Sequence, residues 1–357
     1  MSRKIPQLLV ERGTDMADSA NRRVRPLNVV LRPESPVSQA YAREQAPAAV
    51  TTEAVTSEGF REIPAWDLTD HGGRKITDLV FVNRYLGGQD AWDTDDIKEI
   101  DAALEAAMTD PRLQSVIAQY YPGEISSRML DSDVLAEPAP KRFFKDQAEK
   151  LAARLFQDGA LGDSDPGESV INLMLPRGVV LVDGFSPQFR PPAGEEEEHE
   201  RRQQALIKLD DDADSDSENG LAGFHGSVHL RHNGRNVTVY YAVGVFSQVA
   251  NGVRNGIPVF NGPDAWKNVV ATFYHELNEA RTDPDVEDAA RSNDFSKLGW
   301  YSLDGRGEIG DLPINELEAQ GRDIKTVFKE VPLTDGTGKV PVQLQWSNAV
   351  HAPASSL

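Results

Sequence analysis

Apolar residues in this chain occur only in short runs, and that constrains its fold more than any other feature. The longest runs, such as Val179-Val180-Leu181-Val182, have the length of a strand. None approaches the ~20 apolar residues of a membrane-spanning helix, so no membrane partner is expected. Between these runs apolar residues recur at helical spacing, and the mixture predicts an α+β core. Leu79 to Leu86 reads as a strand closed by Gly87-Gly88. Thr94 stands where a helix cap belongs, with Asp95 and Asp96 in the first turn and Ile97, Ile100, Leu104 and Met108 on one stripe. Pro111 opens a second helix with Leu113, Val116, Ile117 and Tyr120 on one face. A third covers 143–157, with Phe144, Ala148, Leu151 and Leu155 as its stripe. Ser169–Leu175 and Gly178–Val182, separated by Pro176-Arg177, read as a hairpin. Gly223–Leu230 and Asn236–Val245 flank Asn233-Gly234, a strong hairpin signal. Pro263 then opens a helix over 264–282.

Two segments are expected outside this core. Residues 1–65 are rich in Ser, Pro, Arg, Glu and Ala, too polar to offset their ordering entropy by burial, and read as a disordered arm on which a protein partner could dock. From Gly194 to Gly220 there are eleven acids against three bases, which is −8 of the chain's net −20. The alternating Asp212, Asp214 and Asp216 lack the glycine and the bidentate glutamate of a calcium loop, so 190–220 reads as a solvated acidic insertion. The domain itself is expected over 66–350, with 351–357 as a tail. A net charge of −20 argues against a binder of nucleic-acid backbone, which needs a basic face. There are no cysteines, so disulfides, thiolate zinc sites and cysteine nucleophiles are excluded. The N-terminus is basic, but no apolar segment follows it. The expectation is a chain that begins in the cytoplasm. An export route that bypasses the general signals would leave the same trace.

Chemistry concentrates in Phe273-Tyr274-His275-Glu276-Leu277-Asn278-Glu279. His275 and Glu279 are four apart and so share a helix face. This is the spacing of H-E-x-x-H zinc peptidases, in which two helix residues hold a metal and the intervening glutamate takes a proton from water. Here Glu279 replaces the second histidine. A carboxylate still binds Zn²⁺, and the more oxygen-rich set also suits Mn²⁺ or Ca²⁺. Glu308, in Gly307-Glu308-Ile309-Gly310-Asp311, is the expected third ligand, with Asp311 orienting a ligand from behind and Asp283 as an alternative. Glu276 is the expected base. Tyr301 is a candidate donor to an oxyanion. His225 and His229 would face one side of a strand. They read as a second metal cluster with His232, as a single donor (His225) reaching the cleft, or as a plain polar face.

The ordered series His275-Glu276-Leu277-x-Glu279-Ala280-x-Thr282-Asp283-Pro284, Gly299-Trp300-Tyr301 and Gly307-Glu308-Ile309-Gly310-Asp311 resembles the C-terminal signature of the phosphate-induced protein/EXORDIUM family. Gly223-Phe224-His225-Gly226 and, more loosely, Val342 to Asn348 resemble it too. Members of that family are typically secreted and carry cysteines, and this chain has neither a visible signal nor any cysteine. The helix–Glu–Asp arrangement is similar to zincin peptidases. The resemblances imply a zincin-like α+β fold, here expected as a twisted, mainly antiparallel sheet packed on the active-site helix. They imply a zinc-dependent hydrolase acting on a peptide or protein. The alternatives are a non-catalytic interaction module, held by a structural ion or an ion-free carboxylate–histidine network, and a delivered cargo protein.

Overall fold

The computed structural model describes residues 59–189, 216–292, 294–303 and 305–357. Five strands form the main sheet: β1 (Asp78–Tyr85), β2 (Ser126–Val134), β3 (Ser169–Leu175), β4 (Gly223–His232) and β5 (Arg235–Val245). Their spatial order is β2-β1-β3-β5-β4. The pairs β1–β2, β1–β3 and β3–β5 are parallel, and only β4–β5 is antiparallel. The mainly antiparallel sheet expected from sequence is thus corrected to a mostly parallel one. The connections explain it. Helices α1 (Thr94–Thr109) and α2 (Pro111–Ala118) intervene between β1 and β2, and α3 (Lys145–Gln157) between β2 and β3. A crossover of that length brings the next strand back parallel, whereas the short Asn233-Gly234 turn returns β5 antiparallel to β4. Both turn residues have positive φ, +50° and +79°, as such a tight turn demands.

The expected hairpin of 169–175 with 178–182 also fails. β3 has a neighbour on each edge, so none is left for a third partner. Val180–Val182 pairs instead, in parallel, with Arg142–Phe144. Every residue of β3 is buried, the pattern of a central parallel strand covered on both faces. Alternate side chains divide between two cores. Val170 and Met174 of β3 join Tyr240 and Ala242 of β5 on the face covered by α1 and by α4 (Trp266–Thr282). Ile171, Leu173 and Leu175 join Tyr241 and Val243 on the face covered by α3, through Ala148, Ala152 and Leu155. Helices therefore lie on both faces.

Helix starts follow local chemistry. Asp93 rather than Thr94 caps α1, its carboxylate accepting from the Asp95 N–H. Asp110 caps α2 ahead of Pro111. Pro263 lies in a 3₁₀ turn, Gly262–Asp264, just before α4 rather than within it. α4 is buried without interruption from Asn268 to Thr282, because the strand Lys339–Gln343 and α1 pack on it as well as the sheet. Two shorter helices, α5 (Val286–Ser292) and α6 (Asp311–Ala319), follow.

The expected boundaries shift. Residues 1–58 and 190–215 lie outside the described residues. Phe60 is fully buried beside Ala271, Leu344 and Ala352, so folded chain begins before residue 66. Within the acidic window, Asp216 pairs with Arg142 at 2.8 Å and the Ser217 hydroxyl accepts from the Leu181 N–H, so 216–220 belongs to the fold. Ala352–Ala354 pairs with Gln345–Ser347 and is a strand, not a tail. Among the described residues no helix is long and apolar enough to cross a membrane.

Candidate metal centre

α4 places His275, Glu276 and Glu279 in the interior, where each is 1–2 % exposed. Polar groups taken out of water at this depth require partners. The partners come from α6 and the loop before it. The N–H groups of Gly310 and Asp311 both donate to Glu279 Oε1, at 3.1 Å each, so backbone donors at the start of α6 pin this carboxylate. Its other oxygen, Oε2, lies 3.0 Å from His275 Nε2. Asp311 Oδ1 lies 3.9 Å from the same nitrogen.

The hydrogen-bond network fixes the tautomer of His275. Gln343 donates its side-chain N–H to the Gly310 carbonyl at 2.6 Å, which turns its amide oxygen toward His275 Nδ1 at 2.9 Å. An amide oxygen only accepts, so Nδ1 carries the proton. In the neutral ring Nε2 is then a bare lone pair. A carboxylate oxygen of Glu279 lies 3.0 Å from it. Two lone pairs facing each other in a dry site repel unless a cation sits between them. An imidazole whose outer nitrogen is tied to a neighbour and whose inner one is free has the orientation of a metal ligand. Without a metal, burial opposes a charge on the ring, yet Glu279 and Glu276 outweigh it and push the His275 pKa up to about 10. A proton then takes the cation's place.

Gly310 makes this contact geometrically feasible. A Cβ there would fall 2.4 Å from His275 Nδ1. Gly307 is similarly constrained, with φ +134° and Asp311 Oδ2 where a Cβ would be. The Glu308 N–H donates to that Asp311 oxygen at 3.2 Å.

The other expected residues are distributed differently from the sequence reading. Two sets of three donors lie within 4.8 Å of one another: His275, Glu279 and Asp311, and His225, Glu279 and Glu308. The expected third ligand, Glu308, is therefore grouped with His225, and Asp311, expected behind a ligand, is grouped with His275. Asp283 belongs to neither set. Its Oδ1 accepts from the Gly299 N–H at 2.9 Å and holds the loop ahead of Tyr301. Burial pushes the Asp283 carboxyl up to about 8. Tyr301 is fully buried, and burial together with Glu308, Asp311, Asp283 and Glu279 keeps its hydroxyl protonated. His229, expected beside His225, lies at the exposed end of β4 and pairs with Asp288 at 2.8 Å. Glu276 Oε2 is 3.5 Å from His225 Nδ1, and burial raises its pKa. Burial and the neighbouring carboxylates also raise Glu308 and Asp311 well above the usual range.

Gln343 is the participant that sequence reasoning missed. The available signal was a polar residue at a buried position of the apolar run Val340 to Leu344. No family model, no curated protein and no solved structure matches this chain.

Proposed function

We propose that this protein is a metal-dependent hydrolase of the zincin-like kind, acting on a peptide or protein substrate. The observation that supports this reading is His275 Nε2 facing Glu279 Oε2 at 3.0 Å in the buried interior, an arrangement that requires a cation or a proton between them. The donors suit a divalent ion: one imidazole nitrogen and two carboxylates, each held from behind by Gln343, by backbone N–H groups or by the 307–311 loop. Zinc fits this set, and its oxygen content also admits Mn²⁺ or Ca²⁺. When bound, such an ion polarises a carbonyl and acidifies a water toward ~7.

The remaining work falls to the chain. Glu276 belongs to neither donor set, and its Oε1 lies 3.9 Å from His275 Nε2. Its carboxylate takes the proton of the attacking water and delivers it to the leaving amine. Burial favours the neutral carboxylic acid that forms midway. Tyr301, kept protonated, is the donor for the oxyanion. The order of motifs along the chain also supports kinship with the phosphate-induced protein/EXORDIUM family, which we retain as a proposal.

One observation favours a second reading, a structural ion in a non-catalytic module. Seven side chains of the cluster, including His225 at 6 %, are buried, and closed sites are typical of structural metals. Glu276→Gln separates the two. In a hydrolase it leaves metal content and melting near wild type and lowers turnover on a peptide panel by ~10²–10⁴. His275→Ala loses metal and stability together. Normal metal content in a wild-type protein that hydrolyses no peptide or ester would select the structural ion.

A further inference from the structure

The cluster has more donors than one ion uses. Around His225 four oxygens face two ring nitrogens: Glu276 Oε2 and Glu279 Oε2 lie 3.5 and 3.7 Å from Nδ1, and Glu308 Oε1 and the Asp283 carbonyl lie 3.7 and 3.4 Å from Nε2. A neutral imidazole has one N–H. Whichever tautomer it adopts, the other nitrogen presents a lone pair to carboxylate or carbonyl oxygens. Glu308 Oε1, on a residue only 1 % exposed, has no hydrogen-bond partner at all. It points at the His225 ring.

Charge points the same way. Glu276, Glu279, Asp283, Glu308 and Asp311 are five carboxylates in one buried cluster with two imidazoles, and among the described residues no Lys or Arg forms an ion pair with any of them. With all five ionised, one divalent ion leaves three of the charges uncompensated and two ions leave one. Geometry permits two. Bonds of ~2.0–2.2 Å to a tetrahedral ion separate its ligands by ~3.4 Å. Around the first ion, Glu279 Oε2 and Asp311 Oδ1 lie 3.0 and 3.9 Å from His275 Nε2, and around the second, one donor atom each of His225, Glu279 and Glu308 lie within 4.8 Å of one another.

We propose that the cluster binds two divalent cations that share the carboxylate of Glu279. One is held by His275, Glu279 and Asp311, and the second by His225, Glu279 and Glu308. This rests on the metal-dependent reading above and extends it to a paired centre of mixed nitrogen and oxygen donors, suited to Zn²⁺ or Mn²⁺. Because Glu279 Oε1 is occupied by two backbone N–H groups, its Oε2 is the shared atom. Paired ions clamp both the attacking and the departing atoms of a displacement, which a single ion does not.

The test is metal stoichiometry on the full chain, stripped with a chelator and reloaded with Zn²⁺ alone or Mn²⁺ alone. Two equivalents per chain are expected. His225→Ala and Glu308→Gln should each bind one. The Mn²⁺-loaded wild type should give the electron paramagnetic resonance spectrum of a magnetically coupled pair, and His225→Ala that of an isolated ion. The wild-type spectrum decides the matter even if a variant fails to fold. One equivalent in wild type, uncoupled and unchanged by His225→Ala, overturns the paired centre, leaves the single-ion hydrolase standing and makes His225 a protonated ring between Glu276 and Glu308. No bound metal overturns both.

Discussion

Two clusters of charged side chains, one buried and one half-buried around Glu287, meet along β4, and they are built on opposite plans. In one, His225, His275 and five carboxylates gather, and among the described residues no ammonium or guanidinium pairs with them. In the other, Glu287 contacts Lys145 and pairs with Arg291 at 3.1 Å, while Arg291 also reaches Glu149 at 3.0 Å. The two are close: Ser227, two residues beyond His225, donates its N–H to Glu287. Glu287 responds in the opposite direction to Glu308 and Asp311. Burial opposes the charge of Glu287, but Lys145 and Arg291 outweigh it and hold its pKa below the usual value. Burial and like charges push Glu308 and Asp311 well above theirs. Where this chain uses buried carboxylates to tie helices to the sheet, it supplies the cations from its own sequence. Where the described residues supply none, the cluster has the donors to hold a metal ion instead.

The largest expected effect tests the balanced cluster. Glu287→Gln leaves the part-buried Lys145 and Arg291 around a neutral group, and removing one partner of a fully buried ion pair costs about 3–5 kcal/mol, which is the upper bound here. Denaturant unfolding should show that loss with or without metal, since Glu287 belongs to neither donor set. A loss under ~1 kcal/mol would mean that the cluster contributes little and that the contrast is one of geometry only.

The matching substitution in the unbalanced cluster should have the opposite sign. In chelator-treated protein, Glu308→Gln removes a carboxyl group that no Lys or Arg among the described residues pairs with and that burial and its acidic neighbours disfavour as an anion. Stability should stay level or rise by up to ~1 kcal/mol, because relief of like-charge repulsion offsets any lost contact. In metal-loaded protein the same change should weaken metal binding. If Glu308→Gln destabilises the metal-free chain as much as Glu287→Gln does, an internal partner neutralises Glu308 and the charge argument for the metal falls.

The difference between the clusters also decides how much could be read in advance. The spacing of His275, Glu276 and Glu279 is local, set by one helix turn, so sequence alone exposed it. Glu308 and Asp311 were visible as acids on a glycine-rich loop. Which acid met which histidine depended on how α6 docks against α4, and that is long-range packing with no local signature. His225 was marked as a candidate, but not as a neighbour of Glu308, for the same reason. Four of the five main-sheet strands were legible from apolar runs, and β2 was not, because Ser126–Val134 is an edge strand of mixed polar sequence with no fully buried residue. Their mostly parallel pairing was not, since direction follows from the crossovers through α1, α2 and α3 rather than from the strands themselves. The balanced cluster went unremarked because Lys145, Glu149, Glu287 and Arg291 look like ordinary solvated helix residues until α3 and α5 flank β4.

The smallest expected effect lies where the balanced cluster opens to solvent. His229 Nε2 lies 2.8 Å from Asp288, and its Nδ1 lies 3.0 Å from the Thr238 hydroxyl. The bond to Asp288 is the main cause that raises its pKa, with burial acting against it. A histidine whose folded pKa is raised binds its proton more tightly folded than unfolded. Its stabilisation is therefore fully present below the unfolded value of ~6.5 and is lost as pH rises through the folded value. The side chain is 48 % exposed, so solvent screens the pair and the contribution should stay under ~1 kcal/mol. Melting curves of wild type and His229→Gln should differ at pH 5.5 and converge by pH 9. A gap that widens toward high pH would reverse the sign, and with it the assignment of His229 to the balanced cluster rather than to the metal centre.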